Sequence, residues 1–160
     1  KYFGSLLGDH FTTVTEGRHL HGNFNAHQKK CLFLLGDEAV WGGDKRAEAK
    51  LKEMITEPTT ICEFKGKDSF QIKSFIRLML QTNSEWAAPV SLTDRRYFVL
   101  DVSEMRLNDH IFFREVENEK KNGGTEALLN VLQQFDLTDF EVRDFPDTPA
   151  RHPAGRYPPG

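Results

Sequence analysis

Five consecutive apolar residues, Cys31-Leu32-Phe33-Leu34-Leu35, run into Gly36-Asp37-Glu38, and this stretch restricts the fold more strongly than any other. An apolar run without polar alternation suits a strand buried on both faces, the kind found in parallel sheets covered by helices. Such a strand delivers its C-terminal residues to the sheet edge where ligands bind. With 160 residues the chain is one domain's worth and can bury a core around that strand.

The run closes in two acids. A carboxylate pair at a strand end can hold a hydrated magnesium ion and orient a water. This is the pattern of a Walker B motif, with Asp37 for the metal and Glu38 for the water. A core strand followed by an acidic turn gives the same letters, and such runs are common. Bulk charge does not choose between the two. A net charge of -3 gives no global attraction to nucleic acid, so any contact with DNA has to come from a local patch. Thirteen Phe residues indicate a packed interior. Cys31 and Cys62 lie in apolar segments and form neither a metal nor a disulfide pattern, which fits a reducing cytoplasm. There is no signal peptide and no apolar run of about 18 residues, so neither secretion nor membrane insertion is expected. The chain opens at Lys1 without a methionine, as a fragment would.

Tyr2, Phe3, Leu6 and Leu7 have the spacing of a helix face, and Gly8 is placed to end that helix in the left-handed conformation. Phe11 to Val14 suits a short strand, and residues 15–30 a short helix and loop. Asp44 is a good N-cap for a helix from Lys45 to about Glu57, with Ala47, Leu51, Met54 and Ile55 on one face and Pro58 as the stop. Thr59 to Phe64 and Ser69 to Phe75 are strand-like and joined by Lys65-Gly66-Lys67-Asp68, a hairpin signal. Ile76 to Leu80 and Tyr97 to Val102 are further strand-type runs. Helical spacing returns over Asn108 to Lys121 and Thr125 to Phe135, broken at Asn122-Gly123-Gly124. Five of the seven prolines fall from Pro146 onward, and residues 150–160 are expected to be an unstructured tail. Taken singly, Asn83 suits a turn, Asp94-Arg95-Arg96 a solvated corner, and Lys65 and Lys67 ordinary hairpin charges.

Taken jointly, the segments GNFNAH, LFLLGDEAVWGGDKRAEAKLKEMITEPT, EFKGKDSFQIKSFIRLMLQTNSEW, LTDRRYFVLDV and the NGGTEALLNVL helix closely resemble the superfamily 3 helicase domain of bacteriophage and plasmid primase-helicases. That domain is a ring-forming ATPase of the AAA+ class. The likeness covers residues 1–149, as the C-terminal portion of such a domain. It implies an α/β fold: a partial P-loop NTPase (AAA+-like) three-layer sandwich lacking its P-loop strand, with a β-hairpin insertion and C-terminal helices. It implies ATP and Mg2+ as cofactors. Asp37 would bind the magnesium through water, Glu38 would polarise the attacking water, and Asn83 would bridge that water and the γ-phosphate as the sensor amide. Arg96 matches an arginine finger offered across a subunit boundary; Arg95 is the alternative finger, or pairs with Asp94. Lys65 and Lys67 would contact the DNA backbone from the hairpin tip. The partners implied are single-stranded DNA, further copies of the chain in a hexameric ring, and a primase domain in the same polypeptide. No membrane partner is implied, and the setting is cytoplasmic (the host's, if phage-encoded).

One element of that family is absent. ATP binding in this class needs G-x-x-x-x-G-K-[ST], whose amides cradle the phosphates. Gly66-Lys67 is the sole Gly-Lys in the chain; Asp68 follows it, and Ile61 stands at the first glycine's place. Lys1 to Leu7 resemble the later turns of the helix after the P-loop. The chain is therefore expected to be truncated just downstream of that loop and to hydrolyse no ATP alone. Loss of the P-loop strand is expected to leave the chain unstable, or to bring residues 97–102 into direct pairing with 76–80. A metal-site protein built on His19, His21, His27 and Cys31 is a rival reading, although their spacing matches no zinc motif. A non-catalytic DNA-binding or oligomerisation module is the other.

Overall fold

The computed structural model describes residues 1–21, 25, 28–39, 45–64, 66, 68–83, 96–142, 144, 146 and 148–151. Along the chain run α1 (Tyr2–Ser5), β1 (Phe11–Val14), α2 (Gly17–His21), β2 (Phe33–Asp37), α3 (Lys45–Thr56), β3 (Thr59–Cys62), β4 (Phe70–Lys73), β5 (Arg77–Gln81), α4 (His110–Glu119) and α5 (Thr125–Gln133). β1, β2 and β5 form a parallel sheet in that order, with the apolar run in the central strand, as its unalternated composition requires.

Register fixes the faces. Leu34 lies opposite Thr12 and Leu78, and Gly36 opposite Val14 and Leu80, so these residues share one side of the sheet. That side carries the core, where Val14 and Leu34 meet Leu20 of α2 and Leu51 and Met54 of α3, with Ile76 in the same cluster. The helical spacing of α3 is thereby satisfied, except that Ile55 sits on its flank and is 38% exposed. Phe33 points to the other side. Its ring packs edge-on against Phe3 of α1 at 5.3 Å and stacks with Phe11 at 5.7 Å. Helices thus flank both faces. Gly8 ends the α1 segment with φ +51°, the left-handed conformation expected of it.

β3 and β4 form the expected antiparallel hairpin, in register from Thr59 opposite Lys73 to Cys62 opposite Phe70. Buried Asn25 fastens it to the chain ahead of β2. Its Nδ2 donates to the Ile61 carbonyl at 2.6 Å, and its Oδ1 accepts from the Glu63 amide at 2.9 Å. Towards the C-terminus, Asp109 caps α4, its Oδ1 accepting from the Phe112 amide at 3.0 Å. The helical run breaks at Asn122-Gly123, where Gly123 has φ +93°.

One expectation is corrected. Residues 97–102 form no strand and do not pair with 76–80: among the described residues β5 is the outermost strand of the sheet. Phe98, Leu100 and Val102 are 51%, 64% and 91% exposed. A strand exists through its ladder, and apolar composition marks a segment able to pair without supplying the partner. Ala150 is 6% exposed within a short turn of helix at Pro149–Arg151. Asp44 and residues 152–160 lie outside the described residues. Among the described residues no helix is long and apolar enough to cross a membrane.

Candidate functional site

β2 delivers Asp37 and Glu38 to the C-terminal edge of the sheet, and the parallel register sets Asp37 opposite Gln81 of β5. The next residues along, Glu38 and Thr82-Asn83, therefore emerge side by side. The Glu38 amide donates to the Gln81 carbonyl at 2.9 Å, carrying the ladder one bond past the strand. Glu38 Oε2 then accepts from the Thr82 hydroxyl at 2.9 Å, and Oε1 from the Asn83 amide at 2.7 Å. Glu38 itself has φ +56°. A non-glycine residue in the left-handed region costs roughly 1–2 kcal/mol, and such outliers concentrate where geometry serves a site.

This carboxylate is half-used. An ionised carboxylate offers about four lone-pair positions, and two here are taken by the protein. The remaining two can accept from a water, held in place because both oxygens are fixed. Asp37 is four-fifths buried by side chain, at 20% exposure, and its Oδ2 lies 3.0 Å from the Lys1 ammonium. Lys1 is 69% exposed, so this is a surface-type pair worth little energy and easily exchanged. One carboxylate at a strand end is a sufficient protein contribution for a magnesium ion otherwise held by water and phosphate oxygens, and Asp37 fits that part. Among the described residues no group of three or more His, Cys, Asp or Glu could hold a metal by itself. Of the rival histidine set, Cys31 is a buried thiol donating to the Phe33 carbonyl at 3.3 Å, and His27 lies outside the described residues.

The fold thus brings together Asp37, Glu38 and Asn83. The Asn83 contact is made by its main-chain N–H, and its side-chain amide makes no hydrogen bond among the described residues. Arg96 is exposed, at the start of the 96–103 segment, which joins neither ladder of this edge. Arg95, Lys65 and Lys67 lie outside the described residues. Thr82 and Lys1 are site residues that sequence reasoning missed. Thr82 was legible only through the strand register, since it is simply the residue beside Glu38 once Gln81 faces Asp37.

A parallel sheet with flanking helices and an acid pair at the C-terminal edge of its central strand defines a mixed α/β protein compatible with part of a nucleotide-binding fold. The chain belongs to the family of unknown function DUF5906, whose sequence profile matches residues 1–96. Two solved structures share its fold. The apo structure of the NrS-1 C-terminal region (305–718) is 19% identical with a TM-score of 0.77, over 92% of this chain and 38% of that one. The A form apo structure of the same region is 21% identical with a TM-score of 0.52, over 74% of this chain and 30% of that one. The chain therefore spans less than two-fifths of the length of the chains it resembles. No curated protein matches the sequence.

Proposed function

We propose that these residues are part of an ATP-dependent DNA helicase of the superfamily 3 type, a primase-helicase that couples ATP hydrolysis to translocation along single-stranded DNA in a homo-oligomeric ring. The observation that carries the reading is the Glu38 carboxylate, oriented by Thr82 and Asn83 at the sheet edge beside Asp37. This is where a doubly wound fold places a nucleotide, and a fixed carboxylate with free lone pairs can orient a water for attack on a terminal phosphate. Asp37 holds the magnesium through water, and Mg-ATP supplies the phosphoanhydride and the charge-neutralising cation. The Asn83 side-chain amide, uncommitted among the described residues, is positioned in sequence to reach the same water. Arg96, or Arg95 beside it, reaches a neighbouring subunit's nucleotide, and Lys65 and Lys67 contact DNA phosphates from the β3–β4 hairpin.

Residues 1–160 contain no G-x-x-x-x-G-K-[ST], so the phosphate-binding loop has to come from polypeptide outside them. The same absence, together with the Lys1 ammonium at Asp37, favours a second reading in which this segment is a non-catalytic DNA-binding or oligomerisation remnant. One experiment separates the two. The segment is placed behind an intact P-loop strand and loop, and DNA-stimulated ATP hydrolysis is measured. Activity that falls at least about a hundredfold with Asp37→Asn and with Arg96→Ala supports the helicase. No hydrolysis by the restored protein supports the remnant.

A further inference from the structure

We infer that a second surface, for the backbone of single-stranded DNA, lies at the end of the sheet opposite Glu38, where His10, Lys30 and Lys73 line a cavity of about 200 Å³ together with Lys29 and Phe75. Leu32 and Ile76, the residues just before β2 and β5, also line it, which places it at the N-terminal edge of the strands. Five residues of strand separate Leu32 from Asp37, roughly 17 Å, so the acid pair and this groove are separate sites.

Charge comes first. The chain is net negative, yet among the described residues no Asp or Glu lines the groove. Neither Lys30 nor Lys73 forms an ion pair among the described residues. His10 is fixed at the same edge: its Nδ1 lies 2.8 Å from the Lys30 carbonyl, which can only accept, so Nδ1 carries a proton and donates to it. Aromatic surface comes second. Phe75 is 59% exposed, and Phe70 is 41% exposed and stacked on Phe64 at 5.9 Å. The Lys29 ammonium sits over both of those rings, 5.3 Å from the Phe70 centroid and 6.0 Å from that of Phe64. Phosphate-binding lysines interleaved with exposed rings are what single-strand binding without sequence preference requires. Size decides against an enclosed small molecule, since such pockets run from about 300 to 1,000 Å³ and this cavity is smaller. A backbone passing across the groove needs only room for a phosphate, with bases laid on Phe75.

The choice of DNA as the polymer rests on the proposed function; the groove itself does not. The test is fluorescence anisotropy of a labelled oligothymidylate against the 160-residue chain, with circular dichroism confirming that each variant is folded. The Lys30→Ala/Lys73→Ala double variant is expected to bind at least about tenfold more weakly at roughly 50 mM salt, and to lower the slope of log affinity on log salt by about 1.4. Phe75→Ala is expected to lose about tenfold. Unchanged affinity and slope in the lysine variant overturn the groove; if Lys65→Ala/Lys67→Ala then abolishes binding, DNA remains the partner and only this surface falls. Polyphosphate binding equal to oligothymidylate, with Phe75→Ala silent, overturns the nucleic-acid assignment. No binding at all overturns the groove as well, and hydrolysis by the P-loop-restored protein then reports on the proposed function independently.

Discussion

The main-chain N–H of Asn83 donates to Glu38 Oε1 at 2.7 Å, tying together two residues 45 positions apart in the chain. The contact has a mechanical cause. Parallel strands in one sheet end on the same edge, and a register of Asp37 opposite Gln81 leaves the following residues as neighbours. Between these strands the chain runs through α3 and the β3–β4 hairpin before it returns as β5.

Glu38 balances strain against hydrogen bonds, and two substitutions separate the terms. Glu38→Ala removes the bonds to Thr82 and Asn83 but keeps a side chain at φ +56°. Glu38→Gly removes the same bonds and also the strain, because glycine visits the left-handed region freely. The Gly variant is expected to be more stable than the Ala variant by about 1 kcal/mol in denaturant unfolding. Equal stabilities would mean the backbone there is not strained.

Asp109 sets a pH dependence at the start of α4. The Phe112 amide donating to its Oδ1, and after that the Arg106 guanidinium, hold its carboxyl below the usual carboxylate range. A folded-state pKa depressed below the unfolded one gives stability that is present above the unfolded value and lost as pH falls through the folded one. Asp109→Asn keeps a capping oxygen but does not titrate. In thermal unfolding followed by far-ultraviolet circular dichroism, wild type is expected to exceed this variant near neutral pH. The gap should close as pH drops below the ordinary carboxylate range. A gap independent of pH would contradict the assignment.

Much of this was legible because it is local. The unalternated run of β2, the helical spacing of α3, the Gly66 connection between β3 and β4, and the break at Asn122-Gly123-Gly124 are each written in a few adjacent residues. What escaped depends on partners distant in sequence. Tyr97 to Val102 has a strand's composition, yet nothing in its own letters says whether a neighbour will form its ladder. Thr82 and Lys1 matter only through contacts that the register and the packing of α1 create. Asn25 reads as a loop residue until its amide is seen spanning 36 and 38 positions to the hairpin.

Cys31 and Cys62 are both free and buried. Burial pushes the Cys31 thiol up, beyond the lowering by its hydrogen bonds to Thr12 and Phe33, so the reactive thiolate is scarce as well as shielded. Both thiols are expected to react with a disulfide reagent at least about a hundredfold more slowly in the native chain than in denaturant. Rapid native labelling of either would show that the edge of β2 or the hairpin opens far more readily than this packing allows.

Asn25 offers the sharpest test of how the hairpin is held. Its side chain is 6% exposed and satisfies two backbone groups of the β3 exit, the Ile61 carbonyl at 2.6 Å and the Glu63 amide at 2.9 Å. Removing one partner of a buried hydrogen bond leaves the other unsatisfied, at about 1–3 kcal/mol each. Asn25→Ala orphans one donor and one acceptor, so a loss of about 2–4 kcal/mol is expected, discounted for water reaching the hairpin end. Asn25→Asp discriminates further: it still accepts from Glu63 but sets its second oxygen against the Ile61 carbonyl, and should fall no less than Ala. Amide exchange should accelerate at Glu63 in the Ala variant and stay slow in the Asp variant. If exchange at Glu63 is equally slow in both, the hairpin is anchored by the β3–β4 ladder alone.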